Sequence, residues 1–364
     1  MRLSVAKEKV KSILQNTNIV PALLGERGIG KTEVLKQVAA ELGWGYQAVY
    51  PSSLEGPDFM GLVVKDLEAG VTRYLAPEFL PVESAVEKGL FPEQGLLVIE
   101  ELNRAEVQTI HTLYPLLLER RINTHKVHDG WKIAVAMNPD TVAYTTVSID
   151  AAALDRILII PVEPHLDDYI DYSISTGVYD RDVLDYLVTY PNMLLVTSQE
   201  DSSDTMGKSP CPRAWTRVQE LRVKAGIGIK ESPGDIEIIA GLVGSKAASS
   251  LFGYLRDRDT RPIPAAEIIK NPEAATKQLQ AILSKNRYDV LNITIRELVH
   301  HLPLNPKQLA PIEGFVLAMP EELQVMMAKL IHEKRRQDFV KILSVWKTFK
   351  GSAFQRILDV VTAT

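Results

Sequence analysis

A glycine-rich segment near the amino terminus constrains the fold of this chain more than any other feature. Residues 25–32 read GERGIGKT, which fits the phosphate-binding pattern G-x-x-x-x-G-K-T. The apolar run 19–24 precedes the segment, and residues 33–42 carry apolar side chains at helical spacing. Strand, glycine loop and helix in this order are the context that the pattern requires. The sequence therefore predicts a P-loop within an α/β fold.

The residue types in this loop suit a nucleoside triphosphate. A helix amino terminus presents free N–H groups and a partial positive charge to an anion, and glycine lets the main chain approach phosphate oxygens closely. We predict that Lys31 contacts the β- and γ-phosphates and that the Thr32 hydroxyl binds Mg²⁺. ATP and Mg²⁺ are thus the predicted ligands. The predicted nucleotide-binding residues are Gly25, Gly28, Ile29, Gly30, Lys31, Thr32 and Glu33.

A buried strand that ends in two acids is the second motif. Residues 95–101 read GLLVIEE and end in Glu100 and Glu101. Strand alternation predicts that the two side chains point in opposite directions, one toward a metal and the other toward an attacking water. This is the arrangement of a Walker B strand, whose acid holds Mg²⁺ beside the P-loop hydroxyl. We therefore predict Thr32 and Glu100 as metal ligands; a strand ending in solvated acids is the alternative.

Strands and helices alternate through the first 165 residues. This alternation predicts a parallel sheet with helices on both faces. Ligands bind at the carboxyl ends of such strands, so Gly25, Glu100 and Asn138 should lie on one edge. Further strands are expected at 44–50, 132–137 and 157–162, and helices at 2–15, 83–89, 105–119 and 149–154.

Two predicted hairpins interrupt the alternation. One covers residues 62–75, and the other covers residues 120–131 with its turn at His128-Asp129-Gly130. Residues 51–61, before the first hairpin, are dense in turn-forming residues.

From Pro164 onward the pattern changes to helices with irregular links. Residues 256–262 are charged and read as a linker. We predict an αβα nucleotide-binding domain at 1–165, a helical lid at 166–260 and an all-helical domain of unknown role at 261–364. Helices are expected at 167–175, 181–190, 214–225, 233–255, 264–284, 288–301, 306–335 and 337–361, with a polar loop at 200–208.

Composition limits the class of partner. The net charge is −5, which favours neither nucleic acid nor an anionic membrane, although the basic segment 329–336 keeps a nucleic-acid partner open. The single cysteine, Cys211, rules out an internal disulfide and fits a reducing compartment. No apolar run approaches the length of a membrane span. We therefore expect a cytoplasmic protein.

Five motifs follow one another in a fixed order: GERGIGKT, LLVIEELNRA, AVAMNP, ALDRI and CPRA. With them the chain resembles an AAA+ ATPase of the MoxR-like branch, and it is similar to gas-vesicle, Rubisco-activating and nitric-oxide-reductase-activating ATPases and to phage-encoded relatives. The resemblance covers residues 18–255. Its most specific part is the segment ELNRA that begins at Glu101.

The resemblance implies a role for each matching residue. Glu100 would be the metal-side acid, and Glu101 would be the base that polarises water. Asn138 would be sensor 1, and Arg213, in the lid, would be sensor 2 and contact the γ-phosphate of its own subunit. Arg156 would be the arginine finger that reaches the γ-phosphate in the neighbouring subunit.

The resemblance also implies an assembly and a partner. ATP would bind between the subunits of a homo-oligomeric ring, a hexamer, and hydrolysis would remodel a client protein, in relatives often with a von Willebrand factor A-domain adaptor. Residues 62–75 would be the helix-2 insert, and 121–131 the pre-sensor-1 insert. Phe59-Met60-Gly61 fits a central pore loop and, equally, an aromatic side chain tucked into a turn.

One residue departs from the family pattern. A Walker B strand usually ends in Asp-Glu, whereas this one ends in Glu100-Glu101. The extra methylene moves the carboxylate by roughly one bond length, a shift that octahedral Mg²⁺ tolerates poorly. Two alternatives to a client-remodelling ATPase therefore stay open: a nucleic-acid-directed motor or loader, and an ATP-gated scaffold with weak hydrolysis. Arg104 is either a bridge between subunits or a partner in a local ion pair.

Overall fold

The chain folds as two compact units, Met1–Asp168 and Tyr169–Thr364. The computed structural model describes residues 1–139, 154–197, 208–230, 232–257 and 260–346. The helix expected at 149–154, the loop at 200–208 and the end of the helix at 337–361 lie mostly outside the described residues. The predicted domain boundaries after 165 and 260 stay predictions.

A parallel five-stranded sheet is the centre of the first unit. Its strands lie in the order β2-β5-β8-β1-β9, and each neighbouring pair is parallel. This confirms the predicted fold class. The described strands are β1 (Val20–Leu24), β2 (Gly45–Val49), β3 (Leu62–Asp66), β4 (Val71–Leu75), β5 (Gly95–Glu100), β6 (Arg121–Ile122), β7 (His125–Lys126), β8 (Trp131–Met137) and β9 (Ile157–Pro161).

Helices flank this sheet. Every residue of β5 is buried, as expected for a central parallel strand that is covered on both faces. Helix α1 is tied to α2 by Lys7 and Lys11, whose ammonium groups lie 2.8 and 2.7 Å from the carboxylate of Glu41. The described helices up to the unit boundary are α1 (Leu3–Asn16), α2 (Lys31–Glu41), α3 (Gly56–Met60), α4 (Glu83–Glu87), α5 (Val107–Glu119) and α6 (Leu166–Ser175).

The indole of Trp131 aligns three strands at the amino edge of the sheet. Gly95 is the cross-strand partner of both Trp131 and Gly45. A Cβ atom at Gly95 would lie 2.4 Å from the Trp131 ring, so the ring needs glycine beneath it. The indole Nε1 donates a hydrogen bond to the Pro92 carbonyl at 2.8 Å. The alignment of these strands determines which residues follow them at the carboxyl edge of the sheet.

The two hairpins form, but the turn of the second differs from the prediction. Strands β3 and β4 pair antiparallel from Leu62 opposite Leu75. In the second hairpin β6 and β7 turn at Asn123, whose φ of 51° is left-handed. The predicted turn at His128-Asp129-Gly130 is present, with the Trp131 N–H donating to the His128 carbonyl oxygen at 3.0 Å, but it leads into β8 and does not join the strands of the hairpin. Asparagine tolerates the left-handed region, which is why a turn can form at Asn123 without glycine.

A short helix, α3, replaces part of the predicted loop at 51–61. Glu55 and Asp58 cap it reciprocally, each side chain accepting a bond from the main chain of the other residue. Phe59 in this helix is 1% exposed, and its ring meets Phe79 edge-on at 5.4 Å. The buried ring agrees with the alternative of an aromatic side chain that packs inside the unit, although in a short helix instead of a turn, and the pore-loop interpretation of Phe59-Met60-Gly61 stays a prediction.

The second unit is helical throughout its described part. Arg181 on α7 donates to Glu297 on α13 at 2.7 Å, and Arg296 pairs with Asp171 on α6 at 3.0 Å. These bonds connect the earlier and later helices of the unit. The helices are α7 (Arg181–Thr189), α8 (Pro212–Glu220), α9 (Pro233–Val243), α10 (Ser245–Asp257), α11 (Ala265–Lys270), α12 (Pro272–Ser284), α13 (Tyr288–His301), α14 (Pro306–Leu309), α15 (Ile312–Leu317), α16 (Glu321–Lys334) and α17 (Arg336–Val345).

Three helices predicted as continuous are broken. Gly244, with φ 86°, separates α9 from α10, so the helix expected at 233–255 was wrong. The side chain of Asn271 caps α12 by accepting from the Ala274 N–H at 3.2 Å, and Pro311 and Pro320 each precede a new helix. Helical apolar spacing continues across such breaks, so periodicity did not reveal them. Among the helices of the described residues, none is both long and apolar enough to cross a membrane.

Placing a methyl group under Trp131 should destabilise the first unit. We expect Gly95→Ala to lower its free energy of unfolding by about 1–3 kcal/mol, because the ring must move out of a packed position. Urea titration followed by far-UV circular dichroism measures this. Gly253→Ala in α10 is the matched control, since nothing lies within 4 Å of its added Cβ, and equal stability of the two variants would contradict the packing role of Gly95.

Candidate nucleotide-binding site

The glycines of the loop after β1 are required by its geometry. Gly28 and Gly30 have φ of 72° and 114°, which residues with a side chain rarely adopt. A Cβ atom at Gly25 would lie 2.4 Å from the carbonyl oxygen of Val162. Helix α2 begins directly at Lys31. The predicted order of strand, loop and helix is therefore confirmed, and the helix amino terminus opens at the carboxyl edge of the sheet.

Lys31 brings the loop and the end of β8 together. Its side chain is buried, and its Nζ donates to the carbonyl oxygens of Gly25 at 2.7 Å and Glu26 at 2.8 Å. It also donates to Oδ1 of Asn138 at 3.0 Å. Three acceptors match the three donors of an ammonium group. The predicted P-loop lysine and the predicted sensor 1 residue are thus in direct contact.

Thr32 and Glu100 provide two oxygen atoms that suit a hard cation. The Thr32 hydroxyl donates to Oε2 of Glu100 at 2.9 Å. Burial raises the pKa of Glu100, and the bond from Thr32 opposes this shift. Mg²⁺ binds proteins through one or two such oxygens and takes its other ligands from water and phosphate. The residues present therefore fit Mg²⁺, and the longer acid still reaches the P-loop hydroxyl.

Tyr46 is a residue of this site that sequence analysis missed. Its hydroxyl donates a long hydrogen bond of 3.5 Å to Oε1 of Glu100, whereas Thr32 donates to Oε2. Burial and the charge of Glu100 raise the pKa of Tyr46, so the phenol stays protonated and acts as the donor. Tyr46 lies on β2, which is far from β5 in the chain but next to it in the sheet. The order of strands in the sheet cannot be deduced from the local sequence pattern, and for this reason the contact of Tyr46 with Glu100 was not predicted.

Glu101 follows the end of β5 in a left-handed conformation. Its φ is 53°, so the turn of the main chain, rather than strand alternation, separates its side chain from Glu100; that part of the prediction was wrong. Left-handed residues other than glycine cost free energy and cluster at functional sites. Nη1 of Arg104 donates to Oε2 of Glu101 at 2.7 Å. Arg104 is therefore a partner in a local ion pair.

Arg156 lies at the other edge of the sheet. It directly precedes β9, whose first residue, Ile157, is aligned with Val20 at the start of β1. Val162, which lies beside Gly25, is six positions further along the chain than Arg156, a span of about 20 Å along a strand. Its guanidinium lies 5.2 Å from the ring centre of Tyr114 on α5, a cation–π contact. An arginine at this position cannot reach the loop of its own unit.

Arg213, the predicted sensor 2 residue, belongs to the second unit. It is exposed in the first turn of α8, after Pro212.

A comparison with protein-family models identifies the type of domain in the first unit. Residues 22–156 match the model of the AAA domain, dynein-related subfamily. No curated protein matches the chain significantly. Among solved structures it is similar to the RuvB Holliday junction branch migration motor of Thermotoga maritima, with 15% identity over 71% of this chain and 68% of that chain and a TM-score of 0.35. It is also similar to NtrX of Brucella abortus in complex with ADP, with 12% identity over 90% and 68% and a TM-score of 0.39.

The domain match coincides with the geometry described above. It begins in β1, covers the P-loop and the acids after β5, and ends at Arg156. The predicted ATP hydrolase is thereby supported at the level of the domain. The chain contains an AAA domain of the dynein-related subfamily, an ATPase-type domain, at residues 22–156.

Proposed function

We propose that this chain is a Mg²⁺-dependent ATPase that works as a ring, with each active site shared between two subunits. The convergence of Lys31, Thr32, Glu100 and Asn138 on one sheet edge, with Arg156 on the other, carries the proposal. One edge contains groups for binding phosphate and metal. The other edge has the guanidinium of Arg156, which is too far from the nucleotide site of the same subunit to contact the nucleotide there. A head-to-tail ring places the two edges of successive subunits against each other.

The loop residues bind the triphosphate in this proposal. Phosphate oxygens take the place of the carbonyl oxygens of Gly25 and Glu26 as acceptors for Lys31. Thr32 and Glu100 hold Mg²⁺, which supplies positive charge against the phosphate oxygens. Ile29 and Glu33 belong to the loop and to the first turn of α2, where main-chain N–H groups face the anion.

Glu101 acts as the base in the hydrolysis step. A water molecule attacks the γ-phosphorus, its proton passes to the Glu101 carboxylate, and ADP leaves. Arg104 donates its hydrogen bond to Oε2 of Glu101. Since a carboxylate can accept at both oxygens, this bond is compatible with the role of Glu101 as the base. Asn138 orients the water or the γ-phosphate.

The short contact between Thr32 and Glu100 favours hydrolysis over an ATP-gated scaffold. The scaffold alternative was motivated by glutamate in place of aspartate, and the 2.9 Å contact supports a glutamate that serves the metal. The basic segment 329–336 gives little support to a nucleic-acid motor, because two of its basic side chains are engaged in local ion pairs. Lys334 pairs with Asp171 at 2.9 Å, and Arg335 pairs with Asp338 at 2.8 Å.

The order of motifs supports the finer assignment to the MoxR-like branch. On that assignment the ring is a hexamer in the cytoplasm, and ATP hydrolysis remodels a client protein, with or without a von Willebrand factor A-domain adaptor.

Mixing two inactive variants tests whether the site is shared. Glu101→Gln and Arg156→Ala should each lose most ATP hydrolysis, since an arginine finger contributes about 10³–10⁵ in rate in related enzymes. Co-assembled, they should regain activity, because interfaces form in which one subunit supplies Glu101 and its neighbour supplies Arg156. Phosphate release measures the rate. A mixture of Glu101→Gln with Lys31→Ala is the control and should stay inactive, because both changes damage the same half of the site.

Full activity of Arg156→Ala alone, or no recovery in the first mixture, would contradict a shared site.

Removing the Tyr46 hydroxyl should weaken metal binding. We expect Tyr46→Phe to raise the Mg²⁺ concentration for half-maximal hydrolysis by about two- to tenfold, the effect of one hydrogen bond. The reason is the loss of the donor to Oε1 of Glu100. A Mg²⁺ titration of the ATPase rate measures it. Tyr74→Phe on β4 removes the same atom from a hairpin tyrosine and is the control; identical titrations for both variants would argue against a role for Tyr46.

A further inference from the structure

We propose that Asn103 is a positioning residue that holds the end of β8 so that Asn138 can distinguish ATP from ADP. The inference rests on the nucleotide site proposed above. Asn103 lies in a single 3-10 turn, Leu102–Arg104, just after the acids of β5. It touches no reacting group and acts through Asn138.

The side chain of Asn103 continues the pairing of two strands beyond their last main-chain bond. The register of β5 and β8 ends with Glu100 opposite Ala136, and the left-handed turn at Glu101 then takes the main chain away. At this point Nδ2 of Asn103 donates to the carbonyl oxygen of Asn138 at 2.7 Å. The N–H of Asn138 donates back to Oδ1 of Asn103 at 3.4 Å. The amide thus provides the donor and the acceptor that a neighbouring strand would provide.

Burial makes this pair of bonds specific. Asn103 and Asn138 are 5% and 3% exposed. Buried polar groups are costly unless they are hydrogen-bonded, so the two residues stabilise each other in this arrangement. Pro139, which follows, disfavours helical conformations at Asn138 and further restricts its main chain.

The pair extends to the P-loop lysine. Oδ1 of Asn138 accepts from Nζ of Lys31 at 3.0 Å, so Asn103, Asn138 and Lys31 form one chain of hydrogen bonds. A shift of the Asn138 main chain would move its side-chain amide relative to Lys31 and to the γ-phosphate that Lys31 contacts. Loss of Asn103 should therefore weaken binding of a triphosphate more than binding of a diphosphate.

The ratio of two dissociation constants tests this without any turnover. The Kd values of the full chain for ADP and for ATPγS are measured by equilibrium competition against a fluorescent nucleotide in the presence of Mg²⁺. We expect Asn103→Ala to reduce the ratio of the ADP Kd to the ATPγS Kd by about tenfold, the effect of one hydrogen bond to a charged group. Asn138→Ala should reduce it similarly, and the double variant should reduce it no further than Asn138→Ala.

A second variant tests the inference if Asn103→Ala fails to fold. Asn103→Asp keeps the shape and the acceptor for the Asn138 N–H but loses the Nδ2 donor, and it should also reduce the ratio. Asn16→Ala is the control, because Asn16 is an exposed asparagine whose Nδ2 likewise donates to a main-chain carbonyl, that of Ser12 at 2.8 Å. It should leave the ratio unchanged.

Four results would overturn the inference. Equal weakening of both nucleotides by Asn103→Ala, fully additive losses in the double variant, or an unchanged ratio in Asn103→Asp would each assign Asn103 a structural role alone. A ratio that depends on Asn138 but not on Asn103 would overturn this inference and leave the proposed function intact. Absence of any nucleotide binding by the wild-type chain would overturn the proposed function itself.

Discussion

The buried ammonium group of Lys31 is the interaction on which the functional edge depends. A charge away from water is costly unless acceptors surround it, and here the acceptors come from the loop after β1 and from Asn138 after β8. The same requirement that stabilises the lysine therefore fixes two separate segments relative to each other. Thr32, the next residue, donates a hydrogen bond to Glu100 and so connects the loop to the end of β5 as well.

Because the strands are parallel, the predicted functional side chains lie in two sets at opposite edges of the sheet. At the amino edge Trp131 lies over Gly95 and fixes how β5 and β8 are aligned. At the carboxyl edge that alignment places Glu100 and Asn138 beside the P-loop. Arg156 lies at the amino edge, at a distance that no arginine side chain spans. For this reason the proposed site, which uses both sets, is shared between two copies of the chain.

Local pattern in the sequence was sufficient for the P-loop, the parallel sheet and the pair of Thr32 and Glu100. These features depend on apolar periodicity and on motifs whose residues lie close together in the chain. Tyr46 was not predicted, because β2 becomes the neighbour of β5 only through the order of strands in the sheet. Asn103 was recognised only as part of a motif, since its contact with Asn138 depends on the left-handed turn at Glu101. The break at Gly244 was missed for a related reason: one residue with positive φ ends a helix without altering the apolar spacing around it.

In the proposed function, ATP is hydrolysed at this edge of the sheet with Glu101 as the base. The most direct measurement compares ATP binding and ATP turnover in the wild-type chain and in Glu101→Gln, each with and without Mg²⁺. We expect Mg²⁺-dependent turnover in the wild type, and in Glu101→Gln an unchanged Kd for ATP with turnover reduced by about 10²–10⁴, the usual contribution of a general base. Turnover at the wild-type rate in Glu101→Gln would contradict it.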